Sequence, residues 1–162
     1  MKSICLTFLL SLSALSSWAQ SNQTTKDSLL TWYNDITLAS EAAVKAEKPL
    51  MLFFTGSDWC GWCHRLQREV FNTEQFNTWA AMDVILCEID FPKYKVLPQN
   101  IQEQNQRLQQ QFGVQGYPTV WFVNVSKEDK KYNLSRLKST GYMQGGPDVW
   151  ITNAKSIISG GK

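Results

Sequence analysis

Between Leu50 and Val70 the chain reads LMLFFTGSDWCGWCHRLQREV, and this stretch constrains the fold more than any other. Leu50 to Phe54 is an unbroken apolar run with the pattern of a buried strand. Thr55, Gly56, Ser57 and Asp58 then make a turn. From Trp59-Cys60-Gly61-Trp62-Cys63-His64 onward the pattern is helical. Leu66 and Val70 stand four apart on one face, with Arg65, Gln67, Arg68 and Glu69 around them. Two cysteines with a two-residue spacer therefore sit where a strand feeds a helix. A thiolate at a helix N-terminus faces unpaired backbone N–H groups and the positive end of the helix dipole. Both lower its pKa, and the thiolate is the nucleophile of disulfide exchange. The short spacer brings the second sulfur close enough to close a disulfide within the first turn.

Further along, Gly116-Tyr117-Pro118-Thr119 leads into the apolar run Val120 to Val123. A proline just before an apolar strand is normally an edge or turn feature. Together with Trp59-Cys60-Gly61-Trp62-Cys63, this segment resembles the thioredoxin-like thiol–disulfide oxidoreductases. The resemblance is to their extracytoplasmic WCxxC subgroup, similar to the C-terminal domain of the thiol:disulfide interchange protein. It covers roughly residues 35 to 160. It implies a single-domain α/β thioredoxin-like fold, with a central mixed β-sheet flanked by helices. It implies a redox disulfide Cys60–Cys63, with Cys60 the exposed attacking thiol and Cys63 the resolving one. It also implies that the bond before Pro118 is cis, and that Tyr117 and Pro118 lie against the pair and offer backbone hydrogen bonds to an extended substrate. Trp59 is expected beside the pair on the docking face. Trp62 is available either for substrate contact or for packing against a neighbouring loop. No cofactor and no metal is expected.

Two departures from the family pattern stand out. Cytosolic relatives carry a buried aspartate six positions before the first cysteine, where this chain has Phe54. Water, Glu88 or another carboxylate is left to take the proton of the resolving thiol. The spacer is Gly-Trp rather than Gly-Pro, so the direction of electron flow does not transfer by analogy.

Three rival readings use the same residues. Cys-Gly-Trp-Cys-His matches the C-x-x-C-H pattern of c-type haem attachment, which would make the chain an electron carrier with His64, its only histidine, as axial ligand. That reading leaves the strand before the motif and Tyr117-Pro118-Thr119 unexplained. Cys60, Cys63, His64 and Cys87 make a zinc set on paper, though adjacent Cys63 and His64 give poor geometry. The last rival is a non-catalytic binding module, against which an intact cysteine pair argues.

The N-terminus bears on redox compartment. Met1-Lys2 is a short basic start, Ile4 to Leu15 an apolar run too short to span a membrane, and Ser17-Trp18-Ala19 has the form of a cleavage site. Residues 1–19 read as a signal peptide cleaved after Ala19, 20–34 as an N-terminal lead-in and 35–160 as the thioredoxin-like domain. The competing reading is a retained N-terminal anchor. Export places the chain in the periplasm or outside the cell and removes Cys5, leaving Cys60, Cys63 and Cys87. An odd count argues against a disulfide scaffold and fits one active pair plus one buried, inert thiol. The formal net charge is +2 and evenly spread, which gives no reason to expect nucleic acid. The expected partners are exported proteins bearing disulfides or thiols and a membrane donor of reducing equivalents, and the chain is expected to be a monomer.

The remaining elements follow from pattern. A turn is expected at Leu29 to Tyr33, and a helix over Leu38 to Glu47 ended by Pro49. Another helix capped by Asn72 carries Phe76, Trp79 and Ala80. A core strand spans Val84 to Asp90, and an irregular connection longer than in compact thioredoxins spans Phe91 to Pro98. A Gln-rich helix with a solvated face runs from Asn100 to Phe112, with Ile101, Leu108 and Phe112 as apolar contacts and Gly113 at its end. A hairpin with its tip at Lys127 to Lys131 follows. The last helix opens at Gly145-Gly146-Pro147 and buries Val149, Trp150, Ala154, Ile157 and Ile158.

Overall fold

The strand β2 (Leu50–Thr55) is buried at every position, because strands and helices cover it on all sides. It pairs in parallel with β3 (Ile85–Asp90) and antiparallel with β4 (Thr119–Glu128). β5 (Lys131–Thr140) extends the sheet beyond β4 as an antiparallel hairpin, and β1 (Trp32–Tyr33) pairs in parallel with β3 at the other edge. The five-stranded order is β1-β3-β2-β4-β5. This computed structural model describes residues 30–161, so the expected signal peptide, its cleavage after Ala19 and most of the lead-in lie outside the described residues. No described helix is long and apolar enough to cross a membrane.

Alternation along β2 divides the core in two. Met51 and Phe53 face a cluster with Cys60, Cys63, Leu66, Val70 and Trp150, built by α2 (Gly61–Leu66), α3 (Glu74–Asp83) and α5 (Gly146–Ser159). Leu50, Leu52 and Phe54 face the other way, onto Ala39 and Ala43 of α1 (Ile36–Ala46) and Leu108 and Phe112 of α4 (Gln99–Phe112). The expected mixed sheet between helical layers is therefore present.

Local details differ from expectation in four places. Trp32 and Tyr33 form a strand rather than a turn, because they find open backbone partners at Leu86 and Cys87 on the edge of β3. α2 passes into a π-helical turn, Gln67–Phe71, which Asn72 closes by donating its backbone N–H to Gln67 at 2.8 Å. Asn72 is thereby occupied, and Thr73 caps α3 instead, its Oγ1 accepting from the Phe76 N–H. Within the Gln-rich α4, Gln104 and Asn105 are buried rather than solvated: Gln104 accepts from Ile36 N and donates to the Asn34 carbonyl, and Asn105 donates to the Asp90 carbonyl. Val149 is exposed, because Trp150, Ile151, Ala154 and Ile157 define the buried stripe of α5 and Val149 sits beside it.

Trp150 closes the cysteine-side core. It is wholly buried, its indole N–H donates to the Gly141 carbonyl at 3.0 Å, and Phe71, Phe76, Trp79 and Phe122 surround it. Trp150→Ala should cost about 3–5 kcal/mol, read as a lower urea midpoint at unchanged denaturant slope.

Candidate active site

The chain leaves β2 through a tight turn. The Gly56 carbonyl accepts from Cys60 N at 2.9 Å and Trp59 N at 3.2 Å. A side chain at Gly56 would run into the Trp59 indole, so only glycine lets that ring lie over the turn. Cys60 is the N-cap of α2, with extended backbone, and its Sγ accepts from the Cys63 N–H at 3.2 Å. The two cysteines are joined as a disulfide with their Cα atoms 5.2 Å apart. Cys60 is 5% exposed and Cys63 is wholly buried. The exposed Cys60 thiol expected from the sequence is therefore not seen: both cysteines are buried in the cysteine-side core, Cys60 slightly less than Cys63.

Polar contacts tie the turn to the long connection after β3. The Asp58 carboxylate accepts three successive backbone N–H groups, from Lys93 at 2.9 Å, Tyr94 at 2.8 Å and Lys95 at 3.0 Å. Partial desolvation pushes its pKa up, but these amide bonds outweigh it and the net shift is downward. Ser57 donates through both N and Oγ to Asp90, and Lys95 Nζ reaches Ser57 Oγ at 3.0 Å. His64 Nε2 lies 2.8 Å from the Ser57 carbonyl, which can only accept, so this nitrogen carries the proton.

The aromatic residues near the cysteine turn fall into two groups. Trp59 donates its indole N–H to the Phe91 carbonyl at 2.8 Å, carries Lys93 Nζ over its ring at 4.2 Å, and meets Tyr117 edge-on. Tyr117 is half-buried, stacked on Phe91, and accepts at its hydroxyl from Gln109 of α4 at 2.8 Å. The Tyr117–Pro118 bond is cis. Because Thr119 pairs with Phe54, Pro118 sits at the end of the sheet from which the cysteine turn departs. Trp62 belongs to the second group, 56% exposed, with its ring centroid 5.3 Å from that of Tyr142.

Residues 37–143 match the family described as thioredoxin-like domain, about two thirds of the chain. The chain belongs to that family. It is 33% identical over 120 residues to the disulfide bond reductase DsbH of Chlamydia pneumoniae, covering 74% of this chain and 68% of that protein. It is 30% identical over 139 residues to the thioredoxin-related protein DsbJ of the same organism, covering 86% of this chain and 38% of the relative's length. Among solved structures, a DsbH oxidoreductase superposes with a TM-score of 0.71 at 30% identity, over 80% of this chain and 85% of the other.

Membership of the thioredoxin-like family sharpens the question of the missing carboxylate. Counting back from Cys60 gives Phe54, yet Phe54 faces α1 and α4 and lies on Phe112. The β2 residue facing the cysteine helix is instead its neighbour Phe53. Neither position is acidic. Glu88 is the cross-strand partner of Phe53 and shares its face. It is half-buried and lines a cavity of about 210 Å³ with Trp32, Phe53, Gln67, Phe71 and Asn72. Desolvation first, and then the Asp90 charge, raise its pKa. Thr55 Oγ1, buried at the end of β2, has no hydrogen-bond partner.

The haem and adaptor readings are not favoured by this kinship. Among the described residues no cluster of three His, Cys, Asp or Glu side chains could hold a metal ion, and Cys87 packs in the opposite half of the core from Cys60 and Cys63. Sequence reasoning missed Asp58, Gln109, Glu69 and Tyr142. Asp58 reads as one more turn residue, since nothing local reveals that its partners lie 35 to 37 positions away.

Two outcomes check this geometry. Desolvation, with smaller contributions from Asp35 and Glu88, pushes the Cys87 thiol up to about 12. Iodoacetamide at mildly alkaline pH should therefore label Cys60 of the reduced native protein and reach Cys87 only after unfolding, as peptide mass mapping would show. The depressed Asp58 pKa means that its tether is complete above the ordinary aspartate range and is lost as pH falls through the lower folded value. Hydrogen exchange at the Lys93, Tyr94 and Lys95 amides, corrected for intrinsic rates, should show that loss on acidification, and Asp58→Asn should weaken protection already at neutral pH.

Proposed function

We propose that the protein is an exported thiol–disulfide oxidoreductase that reduces or isomerises disulfides in other extracytoplasmic proteins, with Cys60 attacking and Cys63 resolving. The observation that carries this reading is the Cys60–Cys63 disulfide at the start of α2. There Cys60, 5% exposed, accepts the Cys63 backbone N–H at its sulfur, and Cys63 is wholly buried. In the reduced protein the Cys60 thiolate attacks one sulfur of a substrate disulfide. That bond breaks, a mixed disulfide forms, and the first substrate sulfur leaves as a thiolate that takes up a proton. Cys63 then gives up its proton and attacks Cys60 Sγ. The second substrate thiol departs, and two electrons have passed from the protein to its substrate.

Trp59, Trp62, Tyr117 and Pro118 form the docking face in this reading, with the backbone before Pro118 pairing with the extended substrate. The mature chain begins after Ala19 and acts as a monomer in the periplasm or outside the cell. A thiol donor at the membrane restores the dithiol, because an oxidising compartment supplies no soluble reductant.

The deciding experiment is redox equilibration of the mature domain, followed by its tryptophan fluorescence. A potential near the thioredoxin value of about −270 mV supports a reductase, and one near about −120 mV reverses the direction of flow. Cys60→Ser should abolish exchange, whereas Cys63→Ser should retain attack and accumulate a mixed disulfide visible on non-reducing gels. Exchange that survives Cys60→Ser would overturn the assignment.

A further inference from the structure

Trp62 is a large apolar side chain left more than half exposed beside a redox disulfide, and it is not loose. It begins a ladder along one face of the cysteine helix. The Arg65 guanidinium lies 5.3 Å from the Trp62 ring centroid and 4.9 Å from that of Tyr142. Arg65 Nε donates to Glu69 Oε1 at 2.8 Å. Tyr142, arriving from the connection between β5 and α5, donates its hydroxyl to Glu69 Oε2 at 2.7 Å. Both carboxylate oxygens are thus engaged. The hydrogen bonds from Tyr142 and then Arg65 hold the Glu69 carboxyl below the usual range, so the anchor stays charged.

The arrangement is costly unless something uses it. Ordering an arginine, a glutamate and a tyrosine on a surface opposes considerable side-chain entropy, and an exposed ion pair alone returns little. What the ladder achieves is orientation: Tyr142 and Arg65 hold Trp62 in place and leave much of its surface to solvent. Trp59, by contrast, spends its N–H on Phe91 and its ring on Lys93 and Tyr117. Of the two tryptophans around the cysteine pair, Trp62 therefore offers a partner the larger free surface, 56% exposed against 38% for Trp59.

We propose that Arg65, Glu69 and Tyr142 are positioning residues that hold Trp62 as a platform for a large apolar side chain next to the cysteine of a polypeptide disulfide. Small disulfides such as oxidised glutathione carry no such side chain and gain nothing from it. This inference rests on the redox role given above to Cys60 and Cys63. Cys60 is recessed, so a substrate sulfur that reaches it brings its neighbouring residues onto the surrounding surface, and Trp62 lies within the spacer itself.

The test uses the reduced protein with three disulfides: a peptide with leucine beside each cysteine, the same peptide with serine there, and oxidised glutathione. The parent should prefer the leucine peptide over the serine peptide about tenfold in kcat/KM, carried by KM. Trp62→Ala should bring that ratio to about one, and Trp62→Phe should leave an intermediate value. Tyr142→Phe, which keeps the ring and drops the bond to Glu69, should lower the ratio about threefold. It should have no further effect in the Trp62→Ala background, because it acts only through Trp62. Equal rates for the two peptides with the parent would overturn the proposal, as would a ratio that survives Trp62→Ala or a Tyr142→Phe effect that persists without Trp62. A protein that exchanges with none of the three, glutathione included, would overturn the redox reading and this inference with it.

Discussion

The structure depends on how the chain gets out of β2. A strand buried along its whole length cannot simply fray into a loop at its end, because every backbone group it leaves behind must find a partner. The Gly56 carbonyl meets that demand by taking the Trp59 and Cys60 N–H groups. That places Cys60 at the helix start with its sulfur over the Cys63 N–H. The position of the sulfurs is thus a consequence of satisfying a strand end. The glycine is needed because the same turn must admit an indole.

The surrounding contacts hold that turn from outside the local sequence. Asp58 gathers three amides of the connection after β3, Ser57 pairs with Asp90, and Trp59 bonds to Phe91. The connection after β3 is thereby tied to the cysteine turn, with Tyr94 and Val96 exposed along it. One carboxylate taking three amide donors fixes a loop without needing a hydrophobic core beneath it. Backbone donors lose no side-chain entropy when they are used this way.

What was legible in the sequence was periodicity and local chemistry. The unbroken run at 50–54, the cysteine spacing and the proline before Val120 each depend on residues adjacent in the chain, and each led to the right element. The failures share a cause. Asn72 reads as a cap because a π-helical turn leaves no signature distinct from an α-helical one. Trp32 and Tyr33 form a strand only because β3 offers an open edge more than fifty positions away. Phe54 is the position that counting back from Cys60 reaches, and counting cannot see which of Phe53 and Phe54 the strand turns toward the cysteine helix. Glutamines in α4 look solvated until the carbonyls that need Gln104 and Asn105 are in place. Long-range polar partners carry no periodic trace, and they are what finished the site.

The three cysteines of the domain show how far environment outweighs identity. Cys87 sits in β3 among aliphatic and aromatic side chains, its thiol pushed up to about 12 and kept protonated. Cys63 is as deeply buried, yet a single helical turn holds it within bonding distance of Cys60. Cys60 is 5% exposed and has a backbone donor aimed at its sulfur. Burial alone silences a thiol by disfavouring its charged form. Among the neighbouring aromatics, Trp59, Tyr117 and Phe91 are locked to the scaffold. Trp62, within the spacer, is held against Tyr142 but left more than half exposed, so the two aromatic groups differ in the surface they still offer.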